Sequence, residues 1–307
     1  MTRRRTRGRD VHGMLVLDKP AGITSNEALQ KVKRLVGARK VGHTGSLDPL
    51  ATGLLPLCLG DATKFSQFLL NANKTYLVTS TLGVSTDSGD AEGEVCSTRR
   101  ADHVVESDLR GVLRKFQGNI EQVPSMFSAI KVNGQPLYKL ARQGVELPRD
   151  PRPVQIFCNE LQWFRNPEFG LKIHCSKGTY VRTLVADIGE ELGCGAHVTA
   201  LRRTEVGPFD ESGLVTMEQI EKASAERRVE ELLLPISSAV GKWPAVYVSG
   251  PTAFDIKHGQ PIRVPEAPER GWVRLCETAR ESEQEQFLGV GEVLVDGRVA
   301  PRRILAK

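Results

Sequence analysis

Twice along this chain an apolar run of strand length meets a glycine-containing turn and then an apolar stripe with helical spacing. Residues 14–18 pass through Lys19-Pro20-Ala21-Gly22 into Leu29, Val32, Leu35 and Val36. Leu171, Ile173 and Cys175 pass through Lys177-Gly178-Thr179 into Val181, Leu184, Val185, Ile188 and Leu192. Helices with a single apolar stripe must bury it against another element, so this repeated strand-turn-helix pattern points to a sheet with helices laid on it. Thr24 and Glu27 form a T-x-x-E capping box that starts the first helix, and Gly37 suits its stop. Gly193 closes the second helix in the same way. Tyr76, Val78, Ser80 and Leu82 alternate with Leu77, Thr79 and Thr81, the period of another strand. Helices are predicted over 104–116 and 217–232, and 122–148, which contains Asn133-Gly134, reads as a hairpin or mobile loop. From Tyr247 the chain turns rich in Gly, Pro and Val. Short β-like runs at 272–275, 287–290 and 292–295 have the spacing of a small β-barrel.

A length of 307 residues suggests about two domains, each able to bury a core without staples. The formal charge of +5 is less general than it looks. Arg3, Arg4, Arg5, Arg7 and Arg9 supply it, and the rest of the chain has equal numbers of basic and acidic residues. Such a tail is either a phosphate-seeking arm or a solvated extension. A second basic group, Lys31, Lys33, Arg34, Arg39 and Lys40, falls between Glu27 and Asp48 with no acid between those two. No run approaches the ~18 apolar residues of a membrane helix. The start lacks the apolar core of a secretory signal, and six scattered cysteines then predict free thiols in a reducing cytoplasm.

Several motifs fail on inspection. Ser128-x-x-Lys131 lacks the companion elements of a penicillin-binding site. His174, Cys175, Cys194 and His197 are zinc-ligand types, but neighbours on a strand point to opposite faces. The 87–94 loop places glycine and alanine where a calcium loop needs oxygens, which leaves a solvated turn. Neither a Walker A nor a G-x-G-x-x-G run is present, which argues against nucleotide-driven and nicotinamide chemistry. The loop at 41–53 differs in kind. Its small residues flank one acid, Asp48, followed by Pro49, and spacing alone leaves that acid either a turn former or a catalytic group.

The run Val41-Gly-His-Thr-Gly-Ser-Leu-Asp-Pro-Leu-Ala-Thr-Gly-Leu-Leu55 resembles the signature of the TruB family of tRNA pseudouridine synthases, which make the pseudouridine of the tRNA T-loop. Residues 15–25, Lys74-Thr-Tyr76, 86–90, 128–134, Cys175-Ser-Lys-Gly-Thr-Tyr-Val-Arg182 and 195–203 resemble its other blocks in the same order. The likeness spans about 13–240. Ser46 departs from a common threonine and Phe127 from a common tyrosine, both with size roughly kept.

The resemblance implies an α+β fold: a pseudouridine-synthase-type catalytic domain around a mixed, largely antiparallel sheet, plus a small C-terminal β-barrel of PUA type. The division expected is a basic flexible tail over 1–12, the catalytic domain over 13–240 with an RNA-closing loop at 125–148, and the RNA-binding module over 245–307. By the same resemblance Asp48 is the catalytic carboxylate and Arg182 its counter-charge. Tyr76 stacks on the base, Tyr180 borders ribose and base, and Leu201 closes the apolar wall. His43 fills the gap left when the target nucleotide flips out. Lys19, Lys64 and Lys131, with the cluster at 31–40, are candidates for phosphate contacts. The reaction is an isomerisation, so neither metal nor organic cofactor is expected. The expected partner is the T-arm stem-loop of tRNA, met by a cytoplasmic monomer with no membrane and no obligatory protein partner. The alternatives are a tRNA folding chaperone whose chemistry is dispensable and a guide-RNA-dependent relative.

Overall fold

The structure, a computed structural model, describes residues 8–278 and 285–305. In chain order the first elements are β1 (Gly13–Lys19), α1 (Ser25–Val36), β2 (Val41–His43), β3 (Thr52–Leu59), α2 (Ser66–Leu70) and β4 (Lys74–Leu82). Then come β5 (Val84–Thr86), β6 (Val95–Thr98), α3 (Glu106–Lys115), β7 (Gly118–Gln122), β8 (Lys131–Val132), β9 (Gln135–Pro136) and α4 (Leu137–Ala141). The main body ends with β10 (Arg152–Arg165), β11 (Glu168–Cys175), α5 (Val181–Glu191), β12 (Ala196–Val206) and α6 (Met217–Ala225). A second unit contains β13 (Ala245–Val248), α7 (Gly250–Lys257), β14 (Ile262–Arg263), β15 (Gly271–Thr278), β16 (Glu285–Val293) and β17 (Arg298–Ile304).

Eight strands form one sheet in the order β1-β3-β12-β4-β11-β10-β7, with β2 also on β3. Only the β12–β3 pair is parallel, so the sheet is mixed and largely antiparallel. That pair is short. Arg203 lies opposite Gly53, whose φ is +94°, and a Cβ there would stand 2.3 Å from the Arg203 carbonyl oxygen. A glycine is therefore what lets β12 close against β3, just where the Asp48 loop rejoins the sheet. The second unit is a five-stranded half-barrel, β13-β15-β16-β17-β14.

β1 alternates between two cores. Leu15 and Leu17 face the one covered by α1, α5 and α6, whereas Met14 and Val16 join Leu54, Phe65 and Leu69 on the other face. Val290 belongs to that second cluster, and Phe287 meets Phe65 at 5.5 Å, so the half-barrel packs into the body of the first sheet. The outer edge of β1 is not bare. Main-chain bonds from Val215 and Leu234 cover it.

The first helix follows its sequence signals in full, with the Thr24–Glu27 box at one end and Gly37 in the left-handed region at the other. Asn133 and Gly134, both at positive φ, turn the β8–β9 hairpin. Three expectations need correction. The helix predicted over 217–232 ends at Ala225, because Arg227 takes a left-handed conformation and the chain resumes as a short 3-10 turn. The run at 287–290 and the first half of the run at 292–295 belong to one strand, β16, which ends at Val293 and whose Gly289 admits the close approach of the Arg303 carbonyl. The flexible tail expected over 1–12 does not reach its last residues. Arg9 pairs with Glu230 at 2.7 Å and bonds the end of α1, and Val11 is buried. Arg3, Arg4, Arg5 and Arg7 lie outside the described residues.

Candidate active site

Asp48 sits in the connection between β2 and β3, and three unrelated segments clamp that connection by its main chain. The Leu47 amide donates to Ser25 Oγ at 2.7 Å, and the same hydroxyl donates back to the Leu47 carbonyl at 3.1 Å. Lys19 Nζ donates to the carbonyls of Pro20, Ile23 and Pro49 at 2.8, 2.6 and 3.3 Å. Arg203 donates from Nε to Leu54 O at 2.7 Å and from Nη2 to Gly45 O at 3.1 Å. Both cations are fully buried, and neither has a carboxylate within ion-pair distance among the described residues. Lys19 is thus an internal clasp, and its role as a phosphate contact is corrected: the ammonium is closed off from solvent and engaged with carbonyls. Burial pushes its pKa down to about 8.

The loop faces a cavity of about 330 Å³ whose wall includes Asp48, Tyr76, Phe127, Tyr180, Arg182 and Leu201. They come from separate parts of the chain, with Tyr180 and Arg182 together at the start of α5. β4 carries Tyr76, buried with its hydroxyl pushed up in pKa by desolvation. β12 carries Leu201 and Arg203, two apart on one face and flanked by bulges at 198/200 and 203/205 that aim them inward. Tyr180 is the residue before α5, and Gln122 of β7 fixes its backbone with two bonds. Phe127 arrives on the segment between β7 and β8, so part of the 125–148 loop walls the site.

Arg182 is the electrostatic centre. Its side chain is 5% exposed and lies between two carboxylates. Nε meets Asp48 Oδ2 at 2.8 Å, Nη2 meets Asp48 Oδ1 at 3.2 Å, and Nη1 meets Asp90 Oδ2 at 3.3 Å. The remaining donors go to Ser88 O at 2.6 Å and Phe127 O at 3.0 Å. The side chain of Asp48 is 38% exposed, but it opens into the cavity rather than to bulk water. Desolvation is therefore the largest influence on it and raises its pKa above the usual aspartate value; Arg182 opposes this and Asp90 adds to it. The cavity thus holds one carboxylate aimed into an apolar, aromatic-walled space with its counter-charge fixed behind it. That arrangement can stabilise or attack an electron-poor carbon, or remove a proton.

The structure places the expected residues as follows. Asp48, Tyr76, Tyr180, Arg182 and Leu201 converge on one cavity, whereas His43 lies on β2 two residues before the wall begins. His43 is half-buried with Nδ1 unpartnered, and burial lowers its pKa. Lys64 is not part of this cavity; it pairs with Asp61 at 2.9 Å. Lys131 is exposed on the β8–β9 hairpin outside the wall. Asp90 was expected in a solvated turn and is instead 3% exposed, drawn in by Arg182 and by Ser88 Oγ, which donates to it at 2.6 Å. Sequence reading assigned no role to Ser25, Lys74, Gln122 or Arg203, since buried polar anchors show no periodicity, although all of them except Gln122 lie, like Asp90, in blocks that resemble the family. Lys74 Nζ donates to Leu69, Leu70 and Ala72 carbonyls at 3.2, 2.9 and 2.6 Å and secures the end of α2 beside the cavity.

The chain resembles known proteins over nearly its whole length. The family description "TruB family pseudouridylate synthase (N terminal domain)" matches residues 33–181. "tRNA pseudouridylate synthase B C-terminal domain" matches 182–241, and "Pseudouridine synthase II TruB, C-terminal" matches 244–305. A tRNA pseudouridine synthase B of Nitrosococcus oceani is 53% identical over 305 residues, covering 98% of this chain and 97% of the relative. One of Pseudomonas aeruginosa is 51% identical over 300 residues, 97% of each. Among solved structures, an H/ACA RNP bound to a substrate RNA containing 2'-deoxyuridine superposes with a TM-score of 0.74 at 22% identity, covering 100% of this chain and 92% of that one. A Cbf5-Nop10-Gar1 complex gives 0.72 at 24% identity, over 95% and 84%. These two show the shared fold.

Proposed function

The chain belongs to the TruB family of pseudouridine synthases, and from that premise we propose that it isomerises the uridine at position 55 of the tRNA T-loop, acting alone on the T-arm. The observation that carries this reading is the Asp48–Arg182 pair at the back of a cavity walled by Tyr76, Tyr180 and Leu201. The cavity's about 330 Å³ is room for a nucleoside, so the target must leave the RNA stack to enter it.

The chemistry then follows from balance. The bond between ribose carbon 1 and uracil nitrogen 1 breaks, the base turns within the pocket, and carbon 5 bonds to the ribose. The carbon 5 proton departs and nitrogen 1 gains one. Glycosidic cleavage builds positive charge on the sugar, which an ionised Asp48 offsets, captures covalently or relieves by taking a sugar proton. Tyr76 and Leu201 hold the freed base against an apolar surface that keeps water out. His43, beside the loop's start, takes the space vacated in the RNA. The described residues bear no helix long and apolar enough to cross a membrane.

The test is a T-arm stem-loop tritiated at uracil carbon 5, incubated with the protein and nothing else. Release of one tritium per stem-loop is the expected result, and binding without release would overturn the assignment in favour of a folding chaperone. Release only on adding a guide RNA would overturn independent action. A pH dependence accompanies it. Asp48 works ionised and its pKa is raised, so kcat/KM falls as pH drops through a value above the ordinary 3.8. A rate unchanged down to that pH would contradict the role given to Asp48.

A further inference from the structure

A second and larger cavity, about 640 Å³, opens between the main sheet and the half-barrel, where ligand sites commonly form. One side of it is aromatic. Phe68 meets Trp243 at 4.9 Å and Trp272 at 5.1 Å, both edge-on, and the two indoles are 5.5 Å apart with 34° between their planes. Rings that served only to join two units would be fully covered, yet Trp272 is 37% exposed and lines the opening. The facing side is polar. The Thr75 hydroxyl donates to Glu205 Oε2 at 2.8 Å, which leaves its oxygen to accept from His174 Nδ1 at 2.9 Å, and both partners line the cavity.

The surrounding charge is cationic. Lys64 is spent on Asp61 and Arg302 on Glu292. Lys242 donates to Gly207 O and Arg303 to Arg302 O, so these two hold positive charge with no carboxylate partner among the described residues. The two cavities also share a rim. Within residues 69–74, Leu70 and Lys74 face the Asp48 side while Leu69, Asn71 and Asn73 face the aromatic side, and Lys177 secures Asn71 at 2.9 Å.

Aromatic faces beside unpaired cations, one residue's width from a nucleoside pocket, are the equipment of a single-stranded RNA site. We propose that the aromatic cavity takes an unpaired nucleotide of the same RNA whose uridine enters the Asp48 cavity. Its base stacks on Trp272, its phosphate meets Lys242 and Arg303, and Glu205 accepts from an exocyclic amino group. This inference rests on the RNA-modifying reading above.

The chain has three tryptophans, so a Trp163→Phe variant leaves only the two in this cavity as indole reporters. Titration with the T-arm stem-loop should quench that emission in step with binding. Trp272→Ala should weaken the stem-loop's Kd about tenfold, within the range of one base–aromatic stack, and Arg303→Ala should lower the salt slope of binding by about one. Emission unchanged at saturating RNA while tritium is still released would overturn the site. So would Trp272→Ala binding within twofold of the parent. Should Trp272→Ala fail to fold, the emission of the Trp163→Phe chain decides alone. Quenching without tritium release would instead overturn the isomerase reading and leave this site standing.

Discussion

Asp48→Asn should reduce tritium release from the stem-loop by at least about 10⁴-fold while the Kd for the same RNA stays within a few-fold of the parent. The substitution keeps the shape of the side chain and leaves an amide oxygen for Arg182, which now bonds Asp48 with Nε and Nη2. What it removes is a negative charge at the point where the sugar becomes positive. A loss of 10⁴ corresponds to about 5.5 kcal/mol of transition-state stabilisation, which a full charge in a water-poor pocket can supply and a neutral amide cannot. Affinity is spread over the RNA's phosphates and bases, so it should hardly change. Turnover near the parent rate would remove Asp48 from the mechanism.

Arg182→Met should be the other severe change, and it should act on stability as well as rate. With the guanidinium gone, Asp48 and Asp90 face each other across the space it filled, and the Ser88 and Phe127 carbonyls lose their donor. Removing one side of a buried charge cluster costs about 3–5 kcal/mol, which for domains of this size is a fall of roughly 10 °C in Tm. The rate should drop at least about 10²-fold, because Asp48 would lose the one strong influence that holds its pKa down and would spend more time protonated. The sign with pH follows. Lowering the pH protonates the stranded Asp48, whose pKa is already raised by desolvation, and removes its repulsion with Asp90, so the difference in Tm between parent and variant should shrink toward acid. A difference that grows toward acid, or a variant as stable as the parent, would contradict this account. Arg182→Lys should rescue little, since one ammonium cannot reach acceptors arranged around a planar fork.

Much of the architecture was legible because its signals are local. The capping box at Thr24, the alternation around Tyr76 and the stripe of α5 each report a nearest-neighbour preference that the packed protein satisfies. β10 escaped notice because its period is broken twice, at bulges near Ile156 and Leu161, so alternation fails over the very residues that make it the longest strand. β12 was missed for the same reason. The site was legible only in part. Asp48, Tyr76, Tyr180, Arg182 and Leu201 lie in blocks that resemble a known family, and the structure brings them to one cavity. Lys19 was misread because a lysine beside a turn ordinarily faces water, and nothing local says that Pro20, Ile23 and Pro49 will aim carbonyls at it. Asp90 was misread in the opposite sense: its loop composition is that of a surface turn, and only the distant Arg182 draws it inside.

The way the Asp48 loop is held has a consequence for how this protein can vary. Ser25, Lys19 and Arg203 grip the amide of Leu47 and the carbonyls of Gly45, Leu47 and Pro49, not the side chains of that loop. A main-chain grip is indifferent to the side chain it carries, so Ser46 can stand where threonine is common without loosening its neighbour. The burden of inheritance falls elsewhere. Away from Asp48 and the glycines a side-chain change in the loop leaves this grip intact, while the grip itself depends on three anchors scattered along the chain, and a reader scanning for the reacting group alone would pass over all of them.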